Sequence, residues 1–209
     1  MNKPLKKRDA EVSKKLILTY ATELFSKKGY SKASLEELAN MCDLNKAMIF
    51  YYYKSKQGLY EAVIVEVLEE IYDEVIEENK NYNSPTKELE SFIKTFASFA
   101  ESHSYLPSLL LKELSDNGAQ IPEILFSHMR KLYTLFEEIL IRGKEEGCFK
   151  DVVPMIIYFM MTGTINLMIT TKKLRTKAYE LDKIDTCATC DMDEISNYMI
   201  KKIKKMLKD

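Results

Sequence analysis

The sequence predicts an all-α chain, and three observations carry that prediction. No sustained period-2 alternation of apolar and polar residues appears, so strands have no signature. Pro85, Pro107, Pro122 and Pro154 each precede an apolar-periodic segment, where proline suits the first helical turn. Breaks fall near Gly29, Asp43, Ser55, Asn79–Ser84, His103–Leu106, Asn117–Gln120, Gly147–Lys150 and Arg175–Cys190. They divide the chain into about nine helices, with no repeat at a fixed period.

The first helix is expected over Val12–Lys28. Leu16, Ile17, Tyr20, Ala21, Leu24 and Phe25 recur so that they share one face. Gly29 can take the left-handed conformation that ends it. Ser34-Leu35-Glu36-Glu37 reads as a capping box opening the second helix, with Leu35, Leu38, Ala39 and Cys42 as its buried stripe. Asp43 tolerates the left-handed region that a tight turn demands. Leu44 plugs that turn, and Asn45 caps a third helix, Lys46–Tyr53. A long fourth helix, Lys56–Asn79, carries the stripe Tyr60, Val63, Val67, Ile71 and Val75.

Two helices joined by a tight turn make a helix-turn-helix, in which the last helix enters the DNA major groove. Ile49 and Tyr53, four apart, point inward with Leu44. Phe50, Tyr51, Tyr52 and Tyr53 cover about 300° of the helical wheel, so they cannot all be core. Small Ala47 permits close approach, Met48 can touch a thymine methyl, and Lys46 can donate to guanine. Phenolic hydroxyls and Lys56 suit phosphate contacts, which set register without reading sequence.

The charge balance agrees with a polyanion partner for the head alone. Residues 1–60 hold 12 lysines and arginines against 6 acids, whereas the remainder holds 19 against 26. The arm Lys3, Lys6, Lys7 and Arg8 either reaches a minor groove or is a solvated tail. No apolar segment follows the basic N-terminus, and the most apolar stretch, Val152–Ile169, falls short of the roughly 20 residues of a membrane span. Four scattered cysteines do not make a secreted disulfide scaffold, so the expected location is cytoplasmic, with no membrane partner.

Residues Ser13–Val63 resemble the DNA-binding domain of the tetracycline-repressor (TetR) family of bacterial transcription regulators. Ile17-Leu18-Thr19-Tyr20-Ala21-Thr22-Glu23-Leu24-Phe25 is similar to that family's first-helix pattern I-L-x-A-A-x-x-L-F. Leu44-Asn45-Lys46-Ala47-x-Ile49-Phe50-Tyr51-Tyr52-Tyr53-Lys54-Ser55-Lys56-x-x-Leu59 is similar to V-S-x-G-x-L-Y-x-Y-F-x-S-K-x-x-L. The resemblance implies a helix-turn-helix DNA-binding domain over 1–55 and a helical effector-binding and dimerisation domain over 56–209. It implies that Ser34, Tyr52 and Lys56 grip phosphates and that Lys46, Ala47, Met48 and Tyr51, behind the cap Asn45, face base edges. Phe50, Ala47 and Asp43 depart from the family pattern, where tyrosine, glycine and glycine are usual.

The expected partners are double-stranded operator DNA, a small-molecule effector and a second copy of the chain. The resemblance assigns dimerisation to the last two long helices, here about Val153–Lys172 and Asp191–Lys208. Phe96, Phe99, Phe126, Met129, Tyr133, Tyr158, Met161 and Ile165 lie on helical stripes that are either plain core or the lining of a cavity for an apolar or aromatic effector. No cofactor is expected. Cys187-Ala188-Thr189-Cys190, among Asp185, Asp191 and Asp193, offers an alternative: a metal- or redox-responsive regulator. An enzyme reading finds little footing. Six glycines form no G-x-G, two histidines make no hydrolytic set, and the C-x-x-C does not open a helix after a strand as in thiol-disulfide enzymes.

Overall fold

The computed structural model describes residues 7–115, 123–182, 187 and 189–208. Lys3, Lys6, Pro122 and Asp185, named above, lie outside them. Ten helices and no strand occur among the described residues: α1 Lys7–Lys32, α2 Leu35–Met41, α3 Lys46–Tyr53, α4 Lys56–Asn79, α5 Pro85–Ser102, α6 Tyr105–Ser115, α7 Glu123–Glu145, α8 Pro154–Thr170, α9 Lys172–Asp182 and α10 Met192–Met206. The chain divides into two compact units, Met1–Val67 with Ile121–Leu125, and Leu68–Gln120 with Phe126–Asp209. Helix α4 contributes residues to both, and its whole predicted stripe is buried.

In the first unit the helix expected to stop at Lys28 kinks at Gly29, φ 72°, and resumes to Lys32. A left-handed residue inside a helix costs a side chain about 1–2 kcal/mol, so glycine belongs there. Ile17, Ala21, Leu24 and Phe25 are buried as a stripe, whereas Leu16 is exposed and Tyr20 half-buried. The apolar face is therefore narrower than the periodicity suggested. Phe25, Tyr30 and Tyr60 form an aromatic cluster with centroids 4.8–6.2 Å apart.

In the second unit α5 packs against α8 and α10, and α6 against α8. Leu89, Phe92 and Ile93 of α5 are fully buried, as are Phe136, Ile139, Met161 and Ile165. Phe92 meets Phe136 edge-on at 5.2 Å. Glu90 takes the Lys204 ammonium of α10 and, at 2.9 Å, that of Lys87. Glu88 is buried and accepts both terminal nitrogens of Arg142.

One expectation fails here. The polar stretch placed at Arg175–Cys190 is helical as far as Asp182. The chain bends by 66° between α8 and the new helix. Thr170 and Thr171 hydroxyls donate back to the carbonyls of Asn166 and Leu167 at 2.9 and 2.5 Å, and such back-bonding bends helices. The two segments expected to dimerise are therefore α8 and α10, with α9 between them. Among the described residues no single helix is long and apolar enough to cross a membrane.

Replacing Arg142 with Met would strand the buried Glu88 carboxylate. Because Arg142 is itself partly hydrated, the expected loss is about 2 kcal/mol rather than the larger figure for a fully buried pair. A thermal melt at fixed protein concentration checks this, and Glu88→Gln combined with Arg142→Met should recover part of it.

Candidate nucleic-acid interface

The turn between α2 and α3 forms as its residues dictate. Asp43 sits at φ 51°, and the Leu44 amide closes on the Ala39 carbonyl at 2.9 Å. Asn45 caps α3, its side-chain oxygen accepting from the Ala47 amide at 2.8 Å. Ser34 caps α2 by accepting from Glu36 N at 3.2 Å. The reciprocal half of the expected capping box is absent, because Glu37 turns to the Lys28 ammonium at 2.6 Å. A full box occurs instead at Asp191 and Glu194, opening α10.

Helix α3 buries Ile49 and leaves Lys46, Ala47 and Tyr51 exposed, with Met48 half-buried. Tyr51 is 69% exposed and Phe50 42%, whereas Tyr52 and Tyr53 are half-buried, so the four-aromatic run does divide between two environments. Tyr53 donates its hydroxyl to the Lys14 carbonyl at 3.0 Å, fastening α3 to α1. Burial, followed by the nearby Glu66 and Glu11, raises the pKa of that phenol, keeping it a neutral donor. The Tyr52 hydroxyl oxygen is covered and has no hydrogen-bond partner among the described residues. To meet a phosphate it must swing outward from this position.

Lys56 lies over the Tyr30 ring at 4.6 Å and donates to the Ser31 carbonyl at 3.3 Å. Partial burial lowers its pKa. Lys46 stands 3.7 Å from Glu36 on α2. One cation escaped the sequence reading. Lys54, at φ 64°, ends α3, donates to the Tyr51 carbonyl at 2.9 Å and sits 5.5 Å from the Tyr51 ring. The signal was its i+3 spacing from Tyr51 just past the helix end. Gly58 was missed as well. A Cβ there would stand 2.4 Å from the Tyr53 carbonyl oxygen, so only glycine lets α4 start this close to the end of α3.

The eight residues considered for an effector have different surroundings. Tyr133 and Tyr158 touch edge-on at 5.4 Å, and Phe136 joins them at 5.4 Å. The Tyr133 hydroxyl donates to Glu137 at 2.7 Å, and burial with that carboxylate pushes its pKa up to about 12. Burial also raises that of Tyr158. Met161 and Ile165 are fully buried, and Phe99 stacks on His103 at 4.0 Å. Phe96 is half-buried, while Phe126 and Met129 are exposed. A separate cavity of about 520 Å³ is lined by Glu101, Ser104, Ser108, Met168–Thr170, Lys172, Lys173, Arg175, Cys190, Met192 and Ile195. Cys187 and Cys190 are joined as a disulfide. No group of three or more His, Cys, Asp or Glu among the described residues is placed to hold a metal.

Gly58→Ala should lower stability by about 1–3 kcal/mol through overpacking against backbone, and Tyr53→Phe by about 1 kcal/mol for one hydrogen bond. Thermal melts of both variants measure the anchoring of α3. No change in either would mean that α3 is held by Ile49 alone.

Residues 17–63 match the family described as bacterial regulatory proteins, tetR family, and residues 64–189 match the family described as YsiA-like protein, C-terminal region. The chain is 29% identical over 137 residues to the probable HTH-type transcriptional regulator YttP of Bacillus subtilis (strain 168), covering 64% of this chain and 66% of YttP. Its fold is similar to that of the transcriptional regulator FadR from Bacillus subtilis, solved in complex with stearoyl-CoA. The TM-score is 0.71 at 18% identity, over 92% of this chain and 98% of that one. It is also similar to AibR, solved in complex with isovaleryl coenzyme A and operator DNA, with TM-score 0.67 at 16% identity over 93% and 97%. The capped turn, the anchored third helix and these family matches have one meaning: the chain belongs to the tetR family of bacterial regulatory proteins, and it is a helix-turn-helix transcriptional regulator rather than an enzyme.

Proposed function

We propose that this regulator is a cytoplasmic repressor that binds a palindromic operator as a homodimer and leaves it when a small, largely apolar or aromatic effector binds. The observation that carries the DNA reading is the sidedness of α3. Ile49 and Tyr53 hold it from behind, and Lys46, Ala47 and Tyr51 project from its free side. In this reading Lys46, Ala47, Met48 and Tyr51 read base edges. Ser34, Tyr52 and Lys56 grip phosphates, Asn45 fixes the helix start, and Lys54 adds charge beside Tyr51. Two such helices in a dimer reach half-sites about 34 Å apart.

Dimerisation is assigned to α8 and α10. Ile156, Phe159, Met160 and Leu167 of α8 are exposed at spacings that place them along one face, with Ile156 57% and Phe159 61% accessible. Nothing stands within 4 Å of a Cβ built at Gly163 on the same helix, so a partner helix can approach closely there. Tyr198 and Met206 are exposed on α10.

The effector is placed between α7 and α8, where it would part the Tyr133–Tyr158 contact and meet Met129, Phe126, Met161 and Ile165, with Phe96 and Phe99 on α5. The ligands named for FadR and AibR make acyl thioesters the first class to screen by thermal shift. To release DNA, the effector must bind two states of the protein unequally; tight binding to both moves nothing.

Operator selection from a random DNA library, followed by binding titrations at several salt concentrations, tests the DNA surface. Lys46→Ala and Tyr51→Ala should each cost about 1–3 kcal/mol at the preferred base and relax sequence preference. Lys56→Ala should weaken binding to all sequences and reduce the salt slope by about 1. An equal loss on every sequence from all three overturns the assignment of base readers.

Phe159→Glu should leave the protomer folded, because the side chain is already largely in water, and shift sedimentation from dimer to monomer. A dimer that survives this change moves the interface away from α8.

A further inference from the structure

We propose that the cavity between the α5–α6 corner, α8, α9 and α10 is a docking site for small anionic thiols, which exchange with the Cys187–Cys190 disulfide at Cys190. This redox-sensing site is distinct from the effector position assigned between α7 and α8, and it deepens the alternative of a redox-responsive regulator.

The placement of charge and sulfur carries the inference. Among the described residues, the lining of the cavity, about 520 Å³, has Lys172, Lys173 and Arg175 against one carboxylate, that of Glu101. Met168, Met192 and Ile195 supply its apolar wall, and Ser104 and Ser108 add hydroxyls. Cys190 belongs to the same lining, so an anion drawn to the lysines arrives at a disulfide sulfur. Three cations in a concave, partly apolar site focus potential on incoming anions and raise their local concentration.

Arg175 ties the elements together. One terminal nitrogen donates to the Cys187 carbonyl at 2.6 Å and the other to the Met168 carbonyl at 2.9 Å. The guanidinium therefore ties Cys187 to the end of α8. Positive charge beside Cys187 favours a departing thiolate, and a better leaving thiolate speeds exchange.

The chemistry balances without another reactant. A thiolate, R–S⁻, attacks Sγ of Cys190 and forms an R–S–Sγ bond. The Cys187–Cys190 bond breaks, and its electron pair leaves on Cys187 Sγ, which takes a proton from water. A second thiolate attacks the sulfur of R, forming R–S–S–R and releasing Cys190 as a thiolate that is protonated in turn. Two thiols are oxidised to one disulfide, and two electrons reduce the protein pair. Asp191, next in the chain, caps α10 through its box with Glu194, so the exchange occurs at the N-terminal end of a helix assigned to the dimer interface.

The test uses the full-length, air-oxidised protein without DNA, so its outcome is separate from that of operator binding. The protein is exposed to 2-mercaptoethanesulfonate, an anionic thiol, or cysteamine, a cationic one, at matched thiolate concentration. Acid-quenched peptides bearing Cys187 and Cys190 are then mapped by mass spectrometry. The expected result is an adduct on Cys190 that forms about tenfold faster with the anion at low salt. That preference should vanish in about 1 M salt, where the screening length falls to about 3 Å. Lys172→Glu with Lys173→Glu should reverse the preference; if this variant does not fold, the salt series on the unchanged protein decides alone. An equal or faster reaction with cysteamine, an adduct on Cys187, or the absence of a Cys187–Cys190 disulfide after air oxidation overturns the proposal.

Discussion

An eight-residue helix does not hold itself together in water, because nucleating the first turn costs more than one further turn returns. Helix α3 is such a helix, and the surface proposed to face DNA depends on what surrounds it. Asn45 satisfies an amide at its start, Ile49 is buried beneath it, and the Tyr53 hydroxyl reaches back to the Lys14 carbonyl. At its end, Lys54 turns left-handed and Gly58 lets α4 begin within van der Waals range of the Tyr53 carbonyl. Every anchor sits on one side or at an end. The other side carries Lys46, Ala47 and Tyr51 without a packing duty, which is what a surface reserved for a partner requires.

Helix α8 poses the complementary problem in the second unit. Its apolar residues surround the axis: Ile157, Met161 and Ile165 face the core, while Ile156, Phe159, Met160 and Leu167 face out. A helix that is apolar all round is ordinarily buried all round. Within the chain α5, α6 and α10 pack on α8, and its outward side is left to water. The polar pairs Glu88–Arg142 and Glu90–Lys204 sit at the edges of the same α5-centred packing, fixing register while the apolar residues supply the burial. In the proposed dimer a second copy of α8 would cover that side, and regulation would then work through the spacing of two protomers.

Helical periodicity made most of the fold legible. The stripes Ile17–Ala21–Leu24–Phe25 and Tyr60–Val63–Val67–Ile71–Val75 are buried as their spacing requires, and Asp43 and Asn45 take the turn and cap roles their side chains suit. Helix α9 was less legible, because Lys172–Asp182 is polar and mostly exposed and so lacks the apolar stripe on which the reading relied. The aromatic stripes of α5, α7 and α8 announced burial but could not separate core from cavity. A phenylalanine every three or four residues looks the same whether its neighbour is another ring, as at Phe92 and Phe136, or empty space.

By itself the sequence determined that the chain is helical, where the helix-turn-helix lies and that Lys46, Ala47 and Tyr51 of α3 face outward. Those properties follow from residues a turn or two apart, whose spacing fixes their direction on a helix. Tertiary structure alone decided that Tyr53 bonds to Lys14, 39 residues away, and that Glu37 abandons its cap for Lys28. It alone brought Lys172, Lys173 and Arg175 together with Cys190 around one cavity. These arrangements join residues from different helices, and local spacing carries no information about which helices will meet.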